Sequence, residues 1–152
     1  MKKLIKTITL VSLISLPLIC VAAGPINDTP ISIHKVVFEV TIDGAEKWEG
    51  VLRNVVNVQK SLGAKTIKIE VVTHGKGIGM LVDTKVSSIP EMKATIQKLH
   101  ESGVVFAVCE NTMKRMHINK DQLVPLAATV DSGVSEVIRK QESGYAYIKI
   151  GE

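Results

Sequence analysis

Residues 103–117 read GVVFAVCENTMKRMH. Val104–Cys109 is an apolar, β-branched run without polar alternation, the pattern of a strand buried on both faces in a parallel sheet. After Cys109 the pattern changes. Glu110-Asn111-Thr112 leads into Met113–Met116, which reads as a helix start with Asn111 or Thr112 placed to cap it. A thiol therefore stands at the carboxyl end of a central strand, just ahead of a helix N-terminus. In open α/β sheets, ligands bind in the crevice beyond those strand ends. A helix N-terminus also favours a thiolate over a thiol.

Working outward, Lys35–Thr41 predicts a first strand, Asp43-Gly44 a turn, and Ala45–Leu62 a helix. Trp48, Leu52, Val55, Val56, Gln59 and Leu62 recur along that helix at a spacing that can face a sheet, and Gly63 is a stop. Thr66–Thr73 predicts a second strand whose first half alternates, which places it toward an exposed part of the sheet. Gly75–Gly79 is a glycine-rich loop, and Ile78–Val82 opens a short helix. Pro90 suits the first position of a helix running to Ser102, with Met92, Ile96 and Leu99 on one side, and Gly103 closes it. Past the cysteine helix, Asn119 and Asp121 are cap candidates. Leu123–Thr129, interrupted by Pro125, is a fourth strand or an extended segment. Asp131-Ser132-Gly133 opens a helix over Val134–Gln141, Gly144 ends it, and Tyr145–Ile150 is a last strand. This alternation predicts a flavodoxin-like, doubly wound, mainly parallel five-stranded sheet with helices on both faces. The first and third strands are expected to flank the switch point, the third ending in Cys109.

Upstream, Met1–Lys6 carries three lysines and no acid, Leu10–Ile19 is apolar, and Val21-Ala22-Ala23 presents small residues. This predicts a secretory signal peptide over residues 1–23, cleaved after Ala23, and hence a periplasmic or secreted protein. The apolar run is shorter than the ~20 residues that span a bilayer. Ile19 and Pro17 stand where a lipidation signal at Cys20 needs a small residue and a leucine. Cleavage lowers Lys plus Arg from 19 to 16 against 15 acids, and the net charge from +4 to +1. The sequence pI near 9.1 is thus largely a property of the leader. No basic face remains for nucleic acid, aromatics for base stacking are only 3% of residues, and no membrane contact is expected after cleavage. Cys109 is then the one cysteine left, so no internal disulfide forms. Residues 24–34, beginning GPINDTPIS, read as an extended arm leading into a single domain over 35–152.

The chemistry open to Cys109 divides in two. Cysteine often fills a strand end as a small, inert, apolar side chain. In an oxidising compartment, however, an idle accessible thiol is a liability, which turns the reading toward a nucleophile or carrier. The loop His74-Gly75-Lys76-Gly77-Ile78-Gly79 stands at a strand end, where backbone N–H groups can cradle an anion. It lacks the Gly-Lys-Ser/Thr closure of a P-loop and the spaced glycines of a dinucleotide fingerprint, so a tight turn is its plainer reading. His74, His100 and His117 match no common zinc spacing with Cys109, and no metal is expected. Lys114 and Arg115, one turn past Cys109, favour a thiolate if they face it, whereas Glu110 opposes one.

The segment GVVFAVCENTMKRMHINKDQL and the closing SGVSEVIRKQESGYAYIKIG resemble the DsrE/DsrF-like family, over Lys35 to Gly151. The most specific element is the single cysteine at the end of the third strand, followed by a helix, an apolar stretch, a glycine and a last strand. The resemblance implies a small α/β protein that assembles as a homo- or hetero-oligomer; no cofactor is expected. It also implies that Cys109 accepts a sulfane sulfur as a persulfide and passes it on, as family members do in sulfur oxidation or tRNA thiolation relays. The export signal sets tRNA thiolation aside and leaves the sulfur donor and acceptor open. His74, Gly75, Gly77, Asn111 and Thr112 are ligand-binding candidates on spatial grounds. The alternatives are a non-enzymatic small-ligand or protein-binding oligomeric module with a structural Cys109, and a metal or redox sensor using Cys109 with His74 or His117.

Overall fold

The computed structural model describes residues 33–150. The leader, residues 1–23, and residues 24–32 of the arm lie outside the described residues. The elements run β1 (His34–Val40), α1 (Ala45–Leu62), β2 (Ile67–Thr73), a 3₁₀ turn (Gly75–Leu81), α2 (Asp83–Val86), α3 (Pro90–Glu101) and β3 (Val105–Cys109). They continue with α4 (Glu110–Arg115), a second 3₁₀ turn (Lys120–Gln122), β4 (Ala128–Val130), α5 (Gly133–Glu142) and β5 (Ala146–Ile150).

All five strands are parallel, in the order β4-β3-β2-β1-β5. Right-handed crossovers explain which face each helix takes. The chain steps in one direction from β1 to β4, so α1 and α3 share a face. The return from β4 to β5 crosses the whole sheet and puts α5 on the other face. On the first face, Trp48, Val51, Leu52 and Val55 of α1 and Met92, Ile96 and Leu99 of α3 cover Val36, Phe38, Val40, Ile69, Val71, Phe106 and Val108. On the second, Val137 of α5 meets Val37, Val72 and Ala107. Residues of the three inner strands β1, β2 and β3 alternate between these two layers and are largely buried, whereas the edge strands β4 and β5 are exposed or half-buried.

The doubly wound sheet agrees with the expected fold, and three details of it are corrected. The first and third strands do not flank the switch point: β2 lies between them, and the order reverses between β1 and β5. The second strand is not exposed either. Among its seven residues only Lys68 is exposed, and Glu70 is buried. Its polar alternation marks the α5 face, where Glu70 Oε2 meets Lys140 Nζ at 2.5 Å. The fourth strand is shorter than Leu123–Thr129. Leu123 and Val124 are buried, but they join Val82 and Leu81 rather than the main ladder.

Candidate functional site

The site forms where three chain segments leave the carboxyl ends of β2, β3 and β4. Cys109 ends β3 and is itself the N-cap of α4, with only 5% of its surface exposed. The helix begins at once with Glu110, so neither Asn111 nor Thr112 caps it; both sit inside its first turn. Thr112 is buried, and its Oγ1 accepts the Gly75 N–H at 3.2 Å. That leaves its O–H free to donate to the Cys109 sulfur.

Burial pushes the Cys109 thiol up, as it does for any group that ionises to a charge. Hydrogen bonds from the Thr112 hydroxyl and from the backbone N–H groups of Gly133, Thr112 and Asn111 outweigh burial, and the net direction is down. The donors come from the starts of two different helices. Asn111 and Thr112 belong to α4, and Gly133 opens α5 behind the Ser132 cap, whose Oγ accepts the Ser135 N–H at 3.3 Å. Exchanging Thr112 for valine keeps the shape and removes one donor to sulfur. Labelling of Cys109 at neutral pH is expected to slow about tenfold, the worth of one hydrogen bond to a charged group. Alkylation rates of Thr112→Val and Thr112→Ser check this, since serine keeps the hydroxyl; equal rates for valine and wild type would contradict it.

His74 lies close to this centre but is engaged elsewhere. Its Nε2 is 2.7 Å from Glu39 Oε1, and the other Glu39 oxygen accepts from the Tyr147 hydroxyl. Glu39 feels burial upward, yet its bonds to Tyr147 and His74 hold the carboxyl below its usual range. The Tyr147 phenol is pushed up to about 12, chiefly by its bond to Glu39. Gly75 and Gly77 donate inward, to Thr112 Oγ1 and to the His74 carbonyl, so neither N–H is free to line an anion. Gly77 is a glycine because a Cβ there would collide with the Val40 carbonyl. The Asn111 side chain is exposed, and its N–H also reaches the Asp131 carbonyl at 3.3 Å.

His117 is a helix terminator. With φ 54 it takes the left-handed position after α4, and the Ile118 N–H returns to the Met113 carbonyl at 2.9 Å while the His117 N–H bonds Lys114 O. It lines a surface cavity of about 590 Å³ together with Glu110, Lys114 and Lys120, and Cys109 is not among the lining residues. Among the described residues, no three His, Cys, Asp or Glu side chains converge to hold a metal.

The model of the DsrE/DsrF-like family matches residues 35–150. This chain belongs to the DsrE/DsrF-like family. The family is generally related to sulfur relay. A protein of unknown function, MTH1491 from Methanobacterium thermoautotrophicum, has a similar solved structure. The TM-score is 0.68 at 29% identity, over 76% of this chain and 98% of that one. No curated protein matches this chain. The sequence names Cys109, Asn111, Thr112, His74 and Gly75 as candidates, and the structure brings them together at these strand ends. Sequence reasoning missed Gly133, Glu39 and Tyr147. Only the Asp131-Ser132-Gly133 helix opening gave a signal for Gly133, and nothing tied it to Cys109.

Proposed function

We propose that this DsrE-like protein is an exported sulfur carrier that holds sulfane sulfur as a persulfide on Cys109. The observation that carries the reading is the convergence of the Thr112 hydroxyl and the N–H groups of Asn111, Thr112 and Gly133 on one thiol, which favours the thiolate. The thiolate attacks the outer sulfur of a donor such as thiosulfate. A bond forms between Cys109 Sγ and that sulfur, the donor's own S–S bond breaks, and sulfite leaves with the electron pair. The same donors that stabilise the thiolate then face the persulfide. An acceptor thiolate or sulfite reverses the step and carries the sulfur away. The signal-peptide pattern of residues 1–23 supports a periplasmic or secreted setting for this exchange.

The test is the pH dependence of Cys109 alkylation in the folded protein, followed by intact-mass analysis after incubation with thiosulfate or polysulfide. The expected result is labelling faster than that of a free cysteine at neutral pH, and one added sulfur that Cys109→Ser abolishes. A free thiol that gains no sulfur from either donor overturns the reading. Labelling only after denaturation favours a binding module with a structural cysteine, a reading that the low exposure of Cys109 supports.

Self-association is part of the same proposal. Val134 and Ile138 on α5, with Val105 and Tyr147, are exposed apolar side chains that a second copy can cover. Sedimentation velocity at micromolar concentration is expected to show an oligomer, and a monomer there removes this element of the proposal.

A further inference from the structure

We propose that Glu39 is a positioning residue for Cys109 and acts through His74. The inference rests on the reading of Cys109 as a reactive thiolate given above.

Glu39 stands on β1 facing α5, with its side chain only 12% exposed. Its layer is formed by Val37, Val72 and Ala107 together with Glu70, a second buried carboxylate that Lys140 pairs. A carboxylate in such a place is costly unless both oxygens are satisfied. Here they are, by His74 Nε2 on one side and by the Tyr147 hydroxyl on the other. An apolar residue at this position would fill the layer without needing either partner, so packing alone does not account for the carboxylate.

What Glu39 holds is the His74 ring, and the ring is wedged against the start of α5. A Cβ on Gly133 would lie 3.0 Å from His74 Cβ, 3.1 Å from Cδ2 and 3.2 Å from Cγ. Gly133 is therefore in direct contact with the imidazole, and its N–H is one of the donors to Cys109. The next residue serves the other helix, since the Gly75 N–H holds Thr112 Oγ1 at 3.2 Å. His74 and Gly75 thus bear on both helix starts that supply donors to the sulfur. The backbone is pinned at the same point, with the His74 N–H on Val40 O at 3.1 Å and the Gly77 N–H on His74 O at 3.0 Å. The Glu39 bond adds the remaining constraint, the orientation of the ring. Hydrogen bonds weaken steeply with distance and angle. If the ring is released, the Gly133 and Thr112 donors lose their alignment on sulfur, and less thiolate forms at neutral pH.

The experiment compares the pH profile of iodoacetamide labelling at Cys109 in wild type, Glu39→Leu, Glu39→Gln and Tyr147→Phe, with thermal melts to confirm folding. Glu39→Leu is expected to slow labelling at neutral pH about five- to tenfold and to move the profile to higher pH. Glu39→Gln keeps an oxygen for the His74 N–H and is expected to retain most of the wild-type rate. Tyr147 is partly exposed, and Tyr147→Phe is expected to shift the profile in the same direction by about twofold. A folded Glu39→Leu whose profile superimposes on wild type overturns the proposal. If Glu39→Leu does not fold, an unchanged Tyr147→Phe profile overturns it. The two readings fail separately. A wild-type thiol that is silent in the folded protein sinks the sulfur-carrier reading and this one with it. A wild type that labels and gains sulfur, beside variants that match it, sinks only the role of Glu39.

Discussion

Lys140→Met is expected to lower stability at pH 7 by about 3 kcal/mol, because it strips the partner from a buried carboxylate. Glu70 is 4% exposed on the inner strand β2, and Lys140 Nζ lies 2.5 Å from its Oε2. Burial raises the Glu70 pKa even in the wild type, with Lys140 opposing that rise. Without Lys140 the opposition is gone and the folded-state pKa climbs further. An acid whose folded pKa exceeds its unfolded value contributes stability that is present below the unfolded pKa and is lost as pH rises through the folded one. The variant should therefore regain stability relative to wild type when the pH is lowered from 7 to about 5, because the raised folded-state pKa lets Glu70 take up its proton before it would in the unfolded chain. Glu39 and Glu136 act in the opposite sense. Both feel burial upward, but their partners hold them below the usual range, so their contribution is lost only as pH falls through those lowered values. Urea unfolding midpoints at the two pH values check the prediction. A variant whose midpoint runs parallel to wild type would refute it. The double exchange Glu70→Leu with Lys140→Met should recover most of the loss, since a buried ion pair and a packed apolar pair are often of similar worth.

Gly77→Ala is expected to cost about 3 kcal/mol or more and to slow Cys109 labelling as well. The new Cβ would overlap the Val40 carbonyl group, lying 2.6 Å from its carbon and 3.0 Å from Thr41 N. These are backbone atoms at the end of β1, and no side-chain rotation relieves the overlap. The 3₁₀ turn must move instead, carrying Gly75 away from Thr112 and His74 away from Glu39. Gly50→Ala is the control. It sits inside α1, where a Cβ meets only Arg53 Nη2 at 3.6 Å, and alanine in a helix is favoured by about 0.5–1 kcal/mol. Thermal melts of the two variants should diverge in sign. A Gly77→Ala protein as stable as wild type would show that the turn adapts freely.

Several elements were legible because local pattern and tertiary role coincide. In Ala45–Leu62 the expected stripe holds at Trp48, Leu52 and Val55, which are buried with Val51, whereas Val56 and Leu62 are exposed; the run ending at Cys109 is buried from Phe106 onward, with Val105 exposed. Thr112 and His74 were placed near Cys109 for a sound reason, since segments leaving adjacent parallel strands at the same end must meet. What was not legible depends on strand order and register. The pairing of Glu39 with His74 joins residues 35 apart, and it exists because β1 and β2 are neighbours with Glu39 opposite Val72. The Gly133 N–H reaches Cys109 because β4 pairs with β3, with Val130 opposite Cys109. The apparent exposure of the second strand misled for a related reason. Lys68 and Glu70 read as a solvated face, while the lysine that neutralises Glu70 lies on α5, far along the chain.

The return of the chain from β4 to β5 has a kinetic consequence. These two strands occupy opposite edges of the sheet, and α5 packs on β1, β2 and β3, so its docking is expected to follow their assembly. Contacts between distant chain segments form slowly, because loop closure must precede them. Gly133, the donor that completes the environment of Cys109, arrives with that late step. A chain caught before it carries an ordinary thiol with a smaller anionic fraction and a slower rate of attack. Stopped-flow refolding with a thiol-reactive dye is expected to show fast labelling appearing together with the final folding phase, and fast labelling in an earlier phase would refute this order.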